Sequence, residues 1–323
     1  MKLGGRLSAW LLADSPKMQE LVESHKRLGF NNMGRQTKFL INGNMEHDEP
    51  LIRGAFSTLK ELGYDTTDCN LVGLACGALK DASDEELKTY YTKARAIADE
   101  VGMGIEQVHG PWRYPPKDGT PEDRAEWFGM MVREMEACAY LDCKYFVIHP
   151  LMPYGAWQSP NPEEFWKINF DFFSELVKVA EKLDVIICFE NMPFPALTLA
   201  RPQEIVDFVK AIDSPYMKVC LDTGHSLACG VPMEDAVRQV GKDYLVTFHI
   251  HGNNGKEDIH WMPFTDVGNW HAFAEALREI GYKGALTVEC SVEPPIPDNA
   301  RWEMEQALVD SLKYLANIVE KGE

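Results

Sequence analysis

No apolar run in this chain approaches the ~18–20 residues needed to span a bilayer, which excludes a helical membrane protein. Neither GxGxxG nor GxxxxGK[ST] occurs, so nothing marks a doubly wound nucleotide-binding fold, and the pair Gly4-Gly5 is too short to replace them. The cysteines form no CxxC pair. Cys69, Cys76, Cys138, Cys143, Cys188, Cys220, Cys229 and Cys290 read instead as free thiols, several in or beside apolar β-like runs. That usage points to a reduced, cytoplasmic protein with neither a disulfide framework nor a zinc finger. Positive charge is also scarce: 32 Lys+Arg against 50 Asp+Glu give a formal −18 over 323 residues. Duplex affinity rests on cations at phosphates, so this balance argues against a nucleic-acid partner. Low-complexity tracts, internal repeats and linkers are missing, and we expect one domain over residues 1–323.

What is present has the texture of an ordinary globular fold, with 45% hydrophobic and 25% charged residues, enough for a large core. The start carries two positive charges and a short apolar stretch from Leu7 to Ala13, but Asp14 ends it without a small-x-small cleavage site. We read it as a first strand, not a signal peptide. Beyond residue 50 two textures alternate. Apolar residues three and four apart predict helices at 51–62, 84–101, 121–141, 162–183, 202–212, 270–280 and near 301–320. Short apolar runs at 2–10, 68–74, 104–109, 145–149, 185–190, 218–222, 245–251 and 285–289 predict eight strands. Near-continuous apolar strands separated by helices indicate a parallel sheet covered by helices, and eight such units predict a (β/α)8 TIM barrel. The stretch 14–50 fits the alternation poorly and reads as an insertion after the first strand, with one helix at 15–28.

The residues that end the strands carry the chemistry. His109, His149, Glu190, Asp222, His249 and Glu289 each close an apolar run. In such a barrel the C-terminal strand ends share one mouth, so six residues that bind metal or titrate would face one cavity. A carboxylate there is costly to bury unless it is paired or coordinated. Taken singly, Asp222 or Glu190 would serve equally well to cap the next helix, and His109 or His149 as a hydrogen-bonded core histidine. Glu190, Asp222, His249 and Glu289 form a hard donor set of three carboxylates and one imidazole, which suits one divalent cation, Mn²⁺ foremost and otherwise Mg²⁺, Co²⁺ or Zn²⁺. Such an ion holds vicinal substrate oxygens and stabilises an enediolate, while two carboxylates on opposite faces move a proton. An aldose–ketose isomerase or an epimerase needs that equipment.

In order and spacing, the elements Val108-His-Gly-Pro-Trp112, Val147-Ile-His-Pro150, Phe189-Glu-Asn191, Val219-Cys-Leu-Asp-Thr-Gly-His225, His249-Ile-His-Gly-Asn-Asn-Gly255, Asp258-Ile-His260 and Thr287-Val-Glu289 form a specific set. From about Leu51 onward the chain resembles the xylose-isomerase-like TIM-barrel superfamily of sugar and sugar-phosphate isomerases and epimerases, which also contains endonuclease IV. The resemblance implies a metal site of Glu190, Asp222, His249 and Glu289, with Glu190 and Glu289 doubling as the catalytic acid/base pair. It gives His225 a contact to substrate oxygen and places His109 and His149 in the pocket wall. His251 is the second choice for the imidazole ligand. The arginine that family epimerases often carry after the metal histidine is replaced here by Gly252-Asn-Asn-Gly-Lys256.

The same resemblance leaves a multinuclear phosphodiesterase open, because His109, His149, Glu190, Asp222, His225, His249, Asp258, His260 and Glu289 supply its ligand types. A lyase or dehydratase acting on a keto-sugar with the same metal, and an accessory subunit, are the other readings. The net charge and the lack of a Lys/Arg-rich loop favour the sugar enzyme. Trp112, His260 and Lys256 complete the expected substrate contacts, a ring such as Trp112 stacking on the C–H face of a sugar. We expect a small carbohydrate substrate, no membrane or nucleic-acid partner, and a homo-oligomer.

Overall fold

The apolar runs become eight parallel strands, and the sequence between them supplies the helices that cover the sheet. A computed structural model describes residues 1–6, 41–290 and 298–322. The strands are β1 (Leu3–Arg6), β2 (Thr66–Asp68), β3 (Gly104–His109), β4 (Tyr145–Ile148), β5 (Ile186–Glu190), β6 (Met217–Asp222), β7 (Leu245–His249) and β8 (Leu286–Thr287). Sequence neighbours pair from β1 to β7, β1 pairs with β8, and a parallel bridge between Ile250 and Val288 closes the last seam. The result is a (β/α)8 TIM barrel, as the alternation of runs predicts. Around it lie α1 (Met45–Leu62), α2 (Asp84–Val101), α3 (Pro121–Tyr140), α4 (Pro162–Leu183), α5 (Pro202–Ile212), α6 (Thr223–Ala228), α7 (Met233–Val240), α8 (Trp270–Ile280) and α9 (Asp298–Lys321).

Local chemistry sets the helix ends. Ser83 with Glu86, and Thr120 with Asp123, form capping boxes that satisfy the first N–H groups of α2 and α3. Gly63, Gly102 and Gly281 adopt the left-handed conformation that terminates α1, α2 and α8. The apolar faces meet the barrel through rings: Phe189 of β5 lies 4.8 Å from both Phe173 of α4 and Phe208 of α5. All three are fully buried, each contributing about 1.5–3 kcal/mol of transfer free energy. Gly4 and Gly5 serve this packing. A Cβ on Gly4 would sit 2.5 Å from Thr287 Oγ1, and one on Gly5 2.8 Å from the Tyr64 ring.

Three expectations change. The run 68–74 is a strand only to Asp68; Asn70–Leu74 is a 3-10 helix whose Leu71 carbonyl accepts a hydrogen bond from Tyr91 Oη at 3.0 Å. A short apolar run without alternation suits either conformation, and here the buried Leu71, Val72 and Leu74 reach the core from a helical turn. Helices α6 and α7 were not anticipated, because Gly224, Gly230 and Pro232 interrupt the apolar periodicity. Helix α1 starts at Met45, not 51: Asn44 Oδ1 accepts from the Glu46 N–H at 3.0 Å, and Pro50 falls within the helix. That shortens the expected 14–50 insertion at its far end. The helix expected at 15–28 lies outside the described residues. Among the described residues no helix is long and apolar enough to cross a membrane.

Candidate metal centre

Strands β5, β6 and β7 end on Glu190, Asp222 and His249, and Glu289 follows β8 by two residues. The register pairs Asp222 directly with His249. Donor atoms of Glu190, Asp222, His249 and Glu289 all lie within 4.8 Å of one another. Three of the four are fully buried, and Glu289 nearly so. Asp222 has a second task that the sequence left open as an alternative. Its Oδ1 caps α6 by accepting from the His225 N–H at 2.6 Å, while Oδ2 stays 3.0 Å from His251 Nε2.

Glu190 stands at the centre. Its Oε1 is 2.7 Å from His249 Nδ1, and its Oε2 is 2.9 Å from His149 Nε2 and 3.5 Å from His109 Nε2. Burial alone would favour a neutral carboxyl, but the facing His249 and His149 outweigh it and hold Glu190 well below the usual carboxylate range. Burial likewise opposes a charged His249, yet Glu190 and Glu289 raise it well above the ordinary imidazole range. For His149 burial wins and lowers it. Without a cation, therefore, protonated imidazole must neutralise the carboxylates.

These groups fit a divalent cation. Glu190 Oε2 is a buried oxygen with no hydrogen-bond partner, its histidine contacts being misaligned for one. His109 turns Nδ1 to the Gly110 carbonyl at 2.8 Å, His225 turns Nδ1 to the Asn191 carbonyl at 2.7 Å, and His260 turns Nδ1 to the Glu289 carbonyl at 3.0 Å. A carbonyl only accepts, so each Nδ1 carries a hydrogen, and each Nε2 is turned toward a carboxylate, where its lone pair can take a cation once its own proton leaves. Metal-binding histidines are held in this way.

A second group forms beside the first. Donor atoms of His225, His251, Asp258 and His260 also lie within 4.8 Å of one another, and the rings of His251 and His260 stack at 4.0 Å. Burial opposes charge on His225 and His260, but carboxylates outweigh it and raise them to about 10 and about 9; Asp222 and Asp258 act on His225, Glu289 and Asp258 on His260. Asp258 is lowered in return, chiefly by His225 and His260 against its own burial. A third set, His109, Glu190 and His249, overlaps the first.

The family model of a xylose isomerase-like TIM barrel matches residues 56–318. The chain belongs to that family. Several family members are similar in sequence. A D-psicose 3-epimerase of Enterocloster bolteae is 34% identical over 36% of this chain and 36% of its own length. An inosose isomerase of Bacillus velezensis is 28% identical over 77% and 84%. A probable endonuclease 4 of Mesomycoplasma hyopneumoniae is 27% identical over 59% and 70%. For three curated relatives the aligned part spans only 53%, 36% and 41% of the relative's length. Among solved structures, the IOLI protein with a binding zinc atom superposes with TM-score 0.65 at 19% identity, over 99% of this chain and 98% of that one.

Within this xylose isomerase-like barrel, the remaining sequence candidates divide. Trp112 lies at the rim with its ring edge-on to His149 at 4.6 Å, and 43% of its surface remains open. Lys256 is exposed in the loop after β7, and its side chain makes no ion pair among the described residues. Two residues of the site escaped the sequence reading. Arg6, ending β1, donates from Nη1 to the Glu289 carbonyl at 3.2 Å and lies 3.5 Å from its Oε1. Asp68, ending β2, lies 3.0 Å from His249 Nε2. Asp68 obeys the strand-end rule that exposed the other six.

Proposed function

We propose that this chain is a divalent-metal-dependent isomerase or epimerase of a sugar or sugar phosphate. The convergence of Glu190, Asp222, His249 and Glu289 at the C-terminal mouth of the barrel carries the reading. Sugar epimerases and isomerases among the relatives support the substrate class. A bound dication, with Mn²⁺ the first choice, would hold vicinal substrate oxygens and stabilise negative charge as a C–H proton leaves. Glu190 and Glu289 then divide the proton work. One carboxylate takes the proton from carbon, and the other, as a carboxylic acid, returns one to the opposite face or to the neighbouring carbon. Burial excludes water from both. Trp112, His109 and His149 would wall the bound sugar, and His225 and His260 would meet its oxygens. One barrel domain carries the whole apparatus, with Lys256 free to reach an anionic end of the substrate from its loop. A keto-sugar lyase would use the same groups, the second carboxyl protonating a departing hydroxyl.

A second reading, a multinuclear phosphodiesterase, is favoured by the group of His225, His251, Asp258 and His260 beside the first. One experiment separates them. Metal-loaded protein is assayed by elemental analysis, by solvent-deuterium incorporation into free and phosphorylated ketoses, and by cleavage of abasic DNA. Deuterium uptake with one cation per chain supports the isomerase or epimerase. DNA cleavage with three cations and no exchange would overturn it.

A further inference from the structure

Asp68 touches the ligand group from beneath without belonging to it. It is 2% exposed, and its Oδ2 lies 3.0 Å from His249 Nε2 and 3.1 Å from Gln107 Nε2. Gln107, fully buried on β3, also donates to the Phe248 carbonyl at 3.2 Å and accepts from Thr247 Oγ1 of β7. Those bonds fix which end of the Gln107 amide meets Asp68, because only its NH₂ can serve two acceptors. The carboxylate is thus held across three strands, and its Oδ1 makes no hydrogen bond.

We infer that Asp68 is the positioning residue of His249, holding the ring hydrogen on Nε2 so that the Nδ1 lone pair faces Glu190 and Glu289. A neutral imidazole carries one hydrogen, and a carboxylate can only accept. Both ring nitrogens of His249 face carboxylates, so the cation-free ring carries two hydrogens; a cation at the first group displaces the one on Nδ1, and the one on Nε2 stays with Asp68. Nδ1 is left 2.7 Å from Glu190 Oε1 and 3.6 Å from Glu289 Oε2. An acceptor nitrogen that close to a carboxylate oxygen requires a proton or a cation between them. The opposite tautomer would set a lone pair against Asp68 and aim a hydrogen into the space a cation needs. The inference rests on the cation site proposed above, and a partner that fixes a ligand histidine typically contributes 10–100-fold to metal affinity.

The test uses the full chain, ¹⁵N-labelled at histidine and loaded with Zn²⁺. Nitrogen spectra of the wild type should show His249 protonated at Nε2 and metal-shifted at Nδ1. Calorimetric Zn²⁺ titration should give binding 10–100-fold weaker for Asp68→Asn and Asp68→Ala, with thermal melting in chelator still cooperative. Wild-type spectra with the proton on Nδ1 overturn the inference even if neither variant folds. So does unchanged Zn²⁺ affinity in folded variants. A wild type that takes up no Zn²⁺ removes the metal-centre reading itself, which separates that failure from this one.

Discussion

Replacing Glu190 by Gln preserves shape and removes one charge from the centre of the cluster. Packing should survive, since the amide is nearly isosteric and the residue is enclosed on all sides. Two unit charges 4 Å apart attract by about 4 kcal/mol at an effective dielectric near 20, and Glu190 has four histidine nitrogens within 3.8 Å. A cation in their midst loses at least one such interaction, or about three orders of magnitude in affinity. The new NH₂ adds a donor where lone pairs converge, which opposes binding further. In the cation-free protein the cost is small, because His249 loses one carboxylate that raised it and can shed its proton. The assay is calorimetric titration of metal-free protein with Mn²⁺, beside melting in chelator and deuterium exchange from solvent. We expect Kd to rise about 1,000-fold, exchange to vanish and Tm in chelator to move by a few degrees. A Kd within tenfold of wild type, with exchange retained, would refute the placement of Glu190 at the cation and in the acid/base pair.

Glu289→Gln should likewise reduce deuterium exchange by at least two orders of magnitude, and full exchange would remove Glu289 from the proton relay. Cation affinity should fall about tenfold for each unit the pH drops below 7, because His249, raised above the ordinary range, must surrender its Nδ1 proton to bind. Calorimetry in buffers of different ionisation heat would then count the protons: about one for the first group, more if His225 and His260, at about 10 and about 9, are displaced too. Affinity independent of pH between 6 and 8 contradicts this. Gly224→Ala would place a Cβ 2.1 Å from His251 Cε1 and force the buried ring off Asp222. We expect a loss of about 1–3 kcal/mol, read as a lower Tm, and an unchanged Tm would show that the ring yields freely.

Most of the barrel was legible because β3 to β7 are apolar runs with polar stops, and several helices start at a capping side chain or end at a glycine. The site was legible by the same rule at six strands. At β2 the strand end was misplaced: 68–74 was read as one strand although β2 stops at Asp68, while of the strand expected at 2–10 the residues after Arg6 lie outside the described residues. Setting the end by the polar residue, not the apolar run, would have added Asp68. The contribution of His251 was hidden for another reason. Alternation puts His249 and His251 on one face, but only the tertiary structure sends one to Glu190 and the other to Asp222. At Asp222 the two readings weighed from the sequence, helix cap and cluster carboxylate, hold together, since Oδ1 caps α6 while Oδ2 faces His251.

The charge of the mouth links cation number to substrate. Asp68, Glu190, Asp222, Asp258 and Glu289 meet there, and among the described residues Arg6 is the one permanent cation in direct contact with them. Six of the chain's nine histidines meet there as well, and each becomes neutral only when it serves as a ligand. Five carboxylates and one arginine leave a charge of −4. One dication at the first group, with His225 and His260 still protonated, brings the mouth to about zero, which suits a neutral polyol and offers a phosphodiester no net attraction. Three bring it to +2, which reverses that preference. The low dielectric of a buried site magnifies either sign. The −18 of the whole chain therefore bears less on the choice than the number of cations held at this rim. A single occupied centre holds no surplus positive charge for a phosphate, so exchange should be at least as fast with uncharged ketoses as with their phosphates when one cation per chain is bound.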